Sequence, residues 1–155
     1  MSYRIALLGK QDRTAFDSGS EALDRYFRER VTQDVRRRVA SCFVAIDEAD
    51  GIAGFYTIAA TSLVLDTMSD EQARRLPRYP VVPAVLLGRL AVATAHQGKR
   101  LGGALVADAL LRATRSEVMA YAMIVEAKDA PAARFYAHLG FTRLRDDQRR
   151  LIRAL

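Results

Sequence analysis

The stretch Leu86–Ala113 most constrains the fold, because it reads as a strand, a glycine turn and a helix in immediate succession. Val85–Val92 is a short apolar run rich in β-branched residues, which predicts a strand buried on both faces. The following turn, His96–Arg100, is small and polar. An apolar stripe at helical spacing then runs from Leu101 to Ala113 and predicts an amphipathic helix.

A helix that begins at such a turn can hold a phosphate group. Its first backbone N–H groups have no partner within the helix, and they lie at the positive end of the helix dipole. Gly98, Gly102 and Gly103 leave room for a pyrophosphate against the backbone, and Lys99 and Arg100 add positive charge. An ordinary strand–helix connection with packing glycines fits the same letters, so spacing alone leaves both interpretations open. Neither GxxxxGK[ST] nor GxGxxG with a following acidic residue fits this turn.

A second block has the same strand–turn–helix form. Tyr121–Glu126 reads as a buried strand, and Asp129 is the expected N-cap of the helix that follows. Pro131 stands in its first turn, and Gly140 is the expected C-cap. Phe141 then begins the next strand.

The first turn resembles the acyl-coenzyme A loop of the GNAT superfamily of N-acetyltransferases, which reads Gln/Arg-x-x-Gly-x-Gly/Ala at a helix start. Gln97 and Gly102 match that motif, and Arg100 stands where the inner glycine is usual. A side chain fits there if φ is negative, and the backbone N–H is unchanged. Ala133–Phe141 matches the second GNAT signature, A-x-F-Y-x-x-x-G-F. Two motifs in the right order are far more specific than either alone.

Length and composition limit the number of domains and the classes of protein to consider. The chain has 155 residues, half of them apolar, which suits one domain with a single core. No bilayer-length apolar run or signal peptide is visible, so we expect a cytoplasmic protein with no membrane contact. Cys42 precedes an apolar strand and is expected to be buried. His96 and His138 lack cysteine partners, so no metal site is expected.

The remaining segments complete an alternating pattern of strands and helices. Leu23, Phe27 and Val31 recur at helical spacing, and Asp50-Gly51 is a hairpin signal. The expected strands are Tyr3–Leu8, Ser41–Ile46, Ile52–Leu65 and two within Phe141–Leu155 around Asp146-Asp147. Ser69 is expected to cap a helix at Asp70–Leu76. After it, Pro77, Pro80 and Pro83 are expected to hold the chain extended. This order resembles the α/β (α+β) GNAT fold as a single domain over residues 1–155. In that fold helices cover both faces of a mixed central sheet, which is splayed between its two central strands to admit the pantetheine arm.

The charge is concentrated in arginine. The net charge is +6, arginine greatly outnumbers lysine, and six arginines but only two acids lie between Arg25 and Arg38. Such a run is either a solvated polar face or a track for a phosphate backbone, and both interpretations stay open at this point.

Several short segments narrow the resemblance to the GNAT toxins of bacterial toxin–antitoxin pairs. They are Phe16–Gly19 with Leu23-Asp24, Gly54–Tyr56, Pro80–Pro83, Leu87–Val92 and Gln97–Lys99. Ser18 stands where many of these relatives have cysteine. The resemblance implies acetylation of the α-amino group of aminoacyl-tRNA, which blocks translation. It also implies a ribbon-helix-helix antitoxin as partner and, since GNAT relatives are often dimers, a homodimer.

The resemblance also implies the site. Tyr136 is the expected general acid, and the co-substrate is acetyl-CoA. The residues expected at the cofactor are Leu90, Ala91, Val92, Gln97, Gly98, Lys99, Arg100, Leu101, Gly102, Gly103, Ala104, Lys128, Asp129, Ala132 and Phe135. Those expected at tRNA are Arg25, Arg28, Arg36, Arg37, Arg74, Arg75 and Arg78. No carboxylate stands out as a base, and an α-amino group with a pKa near 7.7 is partly neutral without one.

Two alternatives remain. One is a GNAT enzyme for a small amine or a protein, in which the basic surface is incidental. The other is a GNAT fold that only binds, as the arginine at position 100 suggests.

Overall fold

The computed structural model describes residues 2–76, 78–145 and 149–155. Seven strands alternate with helices along the chain. The strands are β1 (Arg4–Leu7), β2 (Ser41–Ile46), β3 (Ile52–Val64), β4 (Val81–Val92), β5 (Ala122–Glu126), β6 (Thr142–Arg143) and β7 (Arg150–Ala154). The α-helices are α1 (Glu21–Arg25), α2 (Val31–Arg36), α3 (Asp70–Ala73), α4 (Leu101–Arg115) and α5 (Ala130–His138). A turn of π-helix, Tyr26–Arg30, joins α1 to α2, and 3₁₀ turns occupy Leu65–Thr67 and Thr94–His96.

The strands form one mixed sheet in the order β1-β2-β3-β4-β5-β7-β6. β1, β2 and β3 pair antiparallel, β4 and β5 pair parallel, and β7 is antiparallel to both β5 and β6. With helices around it, this sheet confirms the predicted mixed α/β class. No helix in the three described ranges is long and apolar enough to cross a membrane.

The chain divides into two compact units, and the prediction of one domain stays a prediction. The first unit runs as far as Ala59 and includes Gly88–Ala109. Its core is aromatic: Phe27 stacks on Phe55 at 4.2 Å between ring centroids, and Phe16 meets both rings edge-on. The second unit comprises Ala60–Leu87 and Leu110–Leu155. Its core is mainly aliphatic and contains Leu63, Met68, Val82, Ile124, Leu144 and Ile152.

Local signals predicted the N-terminal caps of α3 and α5 correctly, and a serine also caps α1. The Ser20 hydroxyl accepts from Leu23 N–H at the start of α1, and Ser69 forms a capping box with Gln72 at α3. Asp129 caps α5 as expected, and Gly140 follows it with a φ of +92°. Two predictions, that Pro77 holds the chain extended and that a turn lies at Asp146-Asp147, concern residues outside the described ranges.

Three expectations about elements were wrong. β4 begins four residues before Val85 and is not buried on both faces, since Gly88 and Arg89 are exposed. α3 ends at Ala73 rather than Leu76. The helix carrying Leu23, Phe27 and Val31 is interrupted by the π turn, in which Val31 N–H donates to the carbonyl five residues earlier. Phe27 and Val31 are nevertheless fully buried.

Candidate active site

The turn before α4 has the backbone geometry of an anion site. Gly98 and Arg100 have positive φ values of +78° and +63°, and α4 begins immediately afterwards at Leu101. Gln97–Arg100 and Ala104 are exposed, Gly102 and Gly103 are half-buried, and Leu101 is buried. The first-turn N–H groups of a helix lack intrahelical acceptors, and alternating backbone conformations before a helix form concave arrays of N–H groups. The turn therefore offers oriented donors to an anion.

The condition under which a side chain fits at position 100, a negative φ, is not met by Arg100. Its φ of +63° lies in the left-handed region, where a residue with a Cβ atom costs about 1–2 kcal/mol relative to glycine. Glycine is usual at this motif position for that reason. The protein thus holds an arginine where the backbone favours glycine.

The carboxyl end of β4 lies close against its neighbours in the first unit. Ala91 is buried, and Leu90 and Val92 are half-buried. Ala93 N–H donates to the Ala53 carbonyl at 2.8 Å. A Cβ atom on Gly54 would lie 2.9 Å from the Ala91 carbonyl oxygen and 3.1 Å from Leu105 Cδ1. Glycine at position 54 is therefore what permits this close approach.

In the second unit α5 presents the predicted acid. Tyr136 is only 9% exposed, and its ring packs edge-on against Phe135 and Phe141 at 5.1 and 5.6 Å. Burial raises the pKa of its phenol to about 12. Asp129 accepts from Ala132 N–H at 2.8 Å, so this carboxylate acts as the helix cap. Lys128 and Asp129 are exposed, and Ala132 and Phe135 are half-buried.

The predicted RNA-binding arginines fall into both units and differ in their surroundings. Arg25 lies 3.6 Å from Glu21, and Arg75 lies 3.4 Å from Glu71, both in exposed helical pairs. Arg28 is half-buried and donates to the Phe16 carbonyl at 2.7 Å, so it also stabilises the fold. The others, Arg36, Arg37, Arg74 and Arg78, are exposed. Arg74 and Arg78 line a cavity of about 470 Å³ with Asp70.

The structure adds Arg89, which the sequence interpretation did not assign to the site. Its guanidinium carbon lies 3.7 Å from the centroid of the Tyr26 ring, within cation–π distance. The Tyr26 hydroxyl donates to Asp34 at 2.8 Å, and Arg89 N–H donates to the buried Thr57 hydroxyl at 3.0 Å. Burial and the Asp34 hydrogen bond raise the pKa of Tyr26, so the ring stays neutral. The guanidinium and the backbone of Arg89 are therefore both held in place.

Arg89 lies at a cleft of about 540 Å³ on the first unit. Arg25 and Arg30 line the same cleft, with Glu21 as its one carboxylate and Leu23 and the Tyr26 ring as its apolar wall. Three guanidinium groups facing one carboxylate favour an anionic ligand. The signal available in the sequence was a lone charged residue, Arg89, within the otherwise apolar segment that forms β4.

Cys42 and His96 contribute to the packing and hydrogen bonding of the fold. Cys42 is fully buried, as predicted, and burial raises the pKa of its thiol to about 12. His96 lies between the Tyr3 hydroxyl, 2.8 Å from Nδ1, and an Asp47 carboxylate oxygen, 3.2 Å from Nε2. These contacts join Tyr3, which directly precedes β1, the β2–β3 turn and the segment before the anion-binding turn.

Comparison with known proteins identifies the family. Residues 38–143 match the model of the Acetyltransferase (GNAT) domain. A tRNA-acetylating toxin from Mycobacterium tuberculosis is 33% identical over 132 residues, which cover 84% of this chain and 78% of that relative. The chain therefore belongs to the GNAT acetyltransferase family, as an N-acetyltransferase that uses acetyl-CoA.

Solved structures of a second relative, AtaT, extend the likeness. AtaT complexed with acetyl-methionyl-tRNAfMet superposes with a TM-score of 0.88 at 25% identity, covering 99% of this chain and 95% of that one. AtaTR bound with acetyl-CoA gives a TM-score of 0.82 at 25% identity, with 98% and 93% covered. A mutant AtaT toxin bound to the C-terminus of the antitoxin AtaR superposes with a TM-score of 0.80 at 24% identity, covering 98% of this chain and 92% of that one. This last likeness is one of fold alone.

Proposed function

We propose that this protein is a toxin that transfers the acetyl group of acetyl-CoA to the α-amino group of aminoacyl-tRNA and so blocks translation. The observation that carries the proposal is its match over most of its length to a tRNA-acetylating toxin. The match to AtaT in complex with its acetylated tRNA supports the same substrate class.

The residues assigned to acetyl-CoA divide between the two units. In the first, the backbone N–H groups of Gly98, Arg100, Gly102 and Gly103 bind the pyrophosphate, and Leu90 and Val92 lie along the pantetheine. We assign Ala91, Lys99, Leu101 and Ala104 to the cofactor as well. In the second, we assign Lys128, Asp129, Ala132 and Phe135 to the cofactor. The positive φ values of Gly98 and Arg100 support this assignment, because they orient backbone donors at the start of a helix.

The chemistry needs an oxyanion donor and a proton source. A carbon–nitrogen bond forms as the amine attacks the thioester carbonyl, and the carbon–sulfur bond then breaks. Val92 N–H stabilises the oxyanion, and Tyr136 gives its proton to the departing thiolate. Burial keeps the Tyr136 phenol protonated throughout the physiological pH range, since its pKa is raised to about 12. The amine enters neutral, because an α-amino group with a pKa near 7.7 has already lost its extra proton to solvent in a useful fraction of molecules. After the attack the nitrogen releases one further proton to solvent, and the Tyr136 phenolate takes a proton back from solvent, which restores the acid.

The cleft of Arg89 gives the tRNA side a fixed anchor. Its guanidinium is held by the Tyr26 ring, and its backbone is held by the Thr57 hydroxyl. A preorganised arginine loses less freedom on binding a phosphate than one on a solvated side chain. Arg25 and Arg30 flank it, and the exposed Arg36 and Arg37 continue the positive charge along the same helical segment. We assign this surface, with Arg28, Arg74, Arg75 and Arg78, to the RNA backbone.

The biological setting follows from the substrate. Aminoacyl-tRNA is a cytoplasmic molecule, so we place the protein in the cytoplasm. A toxin that blocks translation requires an antitoxin in the same cell, and we propose one of the ribbon-helix-helix class. We also propose that the toxin is a homodimer.

The test is transfer of labelled acetyl from acetyl-CoA to a full set of charged tRNAs, with uncharged tRNA and free amino acids as controls. We expect label on charged tRNA alone. Equal labelling of free amino acids, or none on any charged tRNA, would make this a GNAT enzyme of small amines or proteins. Titration with acetyl-CoA by calorimetry tests the binding step separately.

A further inference from the structure

A continuous chain of hydrogen bonds links a buried carboxylate to the last residue of β4. Asp24, on α1, is only 4% exposed. Its Oδ1 accepts from the Ser18 hydroxyl at 2.6 Å and from Ser18 N–H at 3.0 Å. A buried carboxylate is tolerated only with such donors, so Ser18 is fixed in place by Asp24.

Gln97 continues this chain of hydrogen bonds to Val92 at the end of β4. Its side-chain nitrogen donates to the Ser18 carbonyl at 2.9 Å and to the Val92 carbonyl at 3.0 Å. An amide NH₂ group has two hydrogens, and both are used here. The reversed amide would set its oxygen against two carbonyl oxygens, so the contacts themselves fix the orientation. A backbone bond from Thr94 N–H to the Asp17 carbonyl, 2.8 Å, lies alongside.

We propose that Asp24, Ser18 and Gln97 are positioning residues that hold Val92 in the geometry needed for acetyl transfer. The Gln97 side chain thereby serves the protein itself, and its two N–H donors are not available to the cofactor. The proposal rests on the proposed acetyl transfer at Val92, where a displacement of 1 Å can cost about 10²-fold in rate. It gives a common role to Ser18, Asp24 and Gln97, which the sequence analysis singled out only by resemblance.

The decisive variant is Gln97→Ala, with Gln33→Ala on exposed α2 as the matched control of the same side-chain type. We expect Gln97→Ala to lower kcat about tenfold and to leave the Kd for acetyl-CoA within about twofold, because positioning acts on the transition state. Gln97→Glu should be worse than alanine, since a carboxylate would face two carbonyl oxygens. A Kd raised tenfold with kcat intact would instead make Gln97 a direct cofactor contact.

The middle of the chain is tested at Ser18. Ser18→Ala removes the hydroxyl that donates to Asp24 and should lower kcat about threefold. Ser18→Cys keeps a weak donor and should restore most of that loss. The Ser18→Ala and Gln97→Ala effects should be less than additive in the double variant, because both interrupt one chain of contacts. Full additivity, or a cysteine variant no better than alanine, would overturn the proposal.

A measurement without substrate separates this proposal from the assignment of tRNA. Hydrogen exchange of Thr94 N–H should be about tenfold faster in Gln97→Ala, while exchange of Ala109 N–H in α4 stays unchanged. If the wild-type protein acetylates no charged tRNA, the proposed function fails, but this exchange experiment still reports on the positioning. Unchanged exchange at Thr94 would show that Gln97 holds nothing and would overturn the inference.

Discussion

Replacing Arg100 by glycine should stabilise the protein, although it removes an arginine from the turn before α4. The φ of Arg100 is +63°, and a Cβ atom in that region costs about 1–2 kcal/mol. Glycine removes this cost but adds about 0.4–1 kcal/mol of unfolded-chain entropy. The Arg100 side chain is exposed, and no ion pair to it is found among the residues that the structure describes. The net gain is therefore about 0–1.6 kcal/mol, with a midpoint of about 0.8 kcal/mol. That midpoint corresponds to roughly 2–3 °C in melting temperature for a chain of this size.

Two further variants separate backbone strain from charge. Arg100→Ala keeps the Cβ atom and removes the charge, so its free energy of unfolding should stay within about 0.5 kcal/mol of wild type. Ala107→Gly, at an exposed position inside α4, should destabilise by about 1 kcal/mol, the opposite sign to Arg100→Gly.

The assays are urea unfolding for stability and calorimetric titration for acetyl-CoA. Arg100→Gly and Arg100→Ala should both bind acetyl-CoA a few-fold more weakly, because both lose one positive charge near the phosphates. If Arg100→Gly is less stable than Arg100→Ala, the residue is not strained and the reasoning about this turn is refuted.

The other predictions concern the acid, the basic surface and the thiol. Tyr136→Phe keeps the packing and removes the proton, so kcat should fall by roughly 10²-fold with acetyl-CoA affinity nearly intact; wild-type turnover would mean that another acid serves. In the wild type kcat/KM should rise with pH around 7.7, the pKa of the substrate amine, and should not fall before pH 10, because the pKa of Tyr136 is raised to about 12. Replacing Arg36, Arg37 and Arg74 by glutamine should raise KM for aminoacyl-tRNA and lower the slope of log affinity against log salt by about 2–3, with acetyl-CoA affinity unchanged; an unchanged slope would remove them from the RNA surface. Native Cys42 should react with a thiol reagent at pH 8 on the order of 10³-fold more slowly than in urea, since burial raises its pKa to about 12; equal rates would contradict its burial.

Features set by neighbours in the chain could be predicted from the sequence. Ser20, Ser69 and Asp129 are caps because a side-chain oxygen bonds to a backbone N–H three residues on. The hairpin at Asp50-Gly51 formed as expected, with Asp50 at a φ of +64°. Such signals need no knowledge of the rest of the fold.

Features set by contacts between residues far apart in the sequence could not be predicted. The role of Arg89 depends on a ring 63 positions earlier in the chain, at Tyr26, and nothing in the apolar run of β4 indicates that partner. The link from Gln97 to Ser18 is of the same kind. The sign of φ at Arg100 could not be predicted from the sequence, because the path of the turn into α4 sets it, whatever side chain is present. The start of β4 was missed because Pro80 and Pro83 suggested only an extended segment, whereas the strand already begins at Val81 and its parallel pairing with β5 begins at Ala84.

The most direct test of the central claim identifies the acetylated atom. Charged tRNA is incubated with the protein and acetyl-CoA, the 3′-terminal aminoacyl-adenosine is released by nuclease, and its mass and fragments are measured. The account predicts one added acetyl group, on the α-nitrogen, in wild type and far less in Tyr136→Phe. Aminoacyl-adenosine without an acetyl group from every charged tRNA, under conditions where the protein acetylates free amines or other proteins, would contradict the claim.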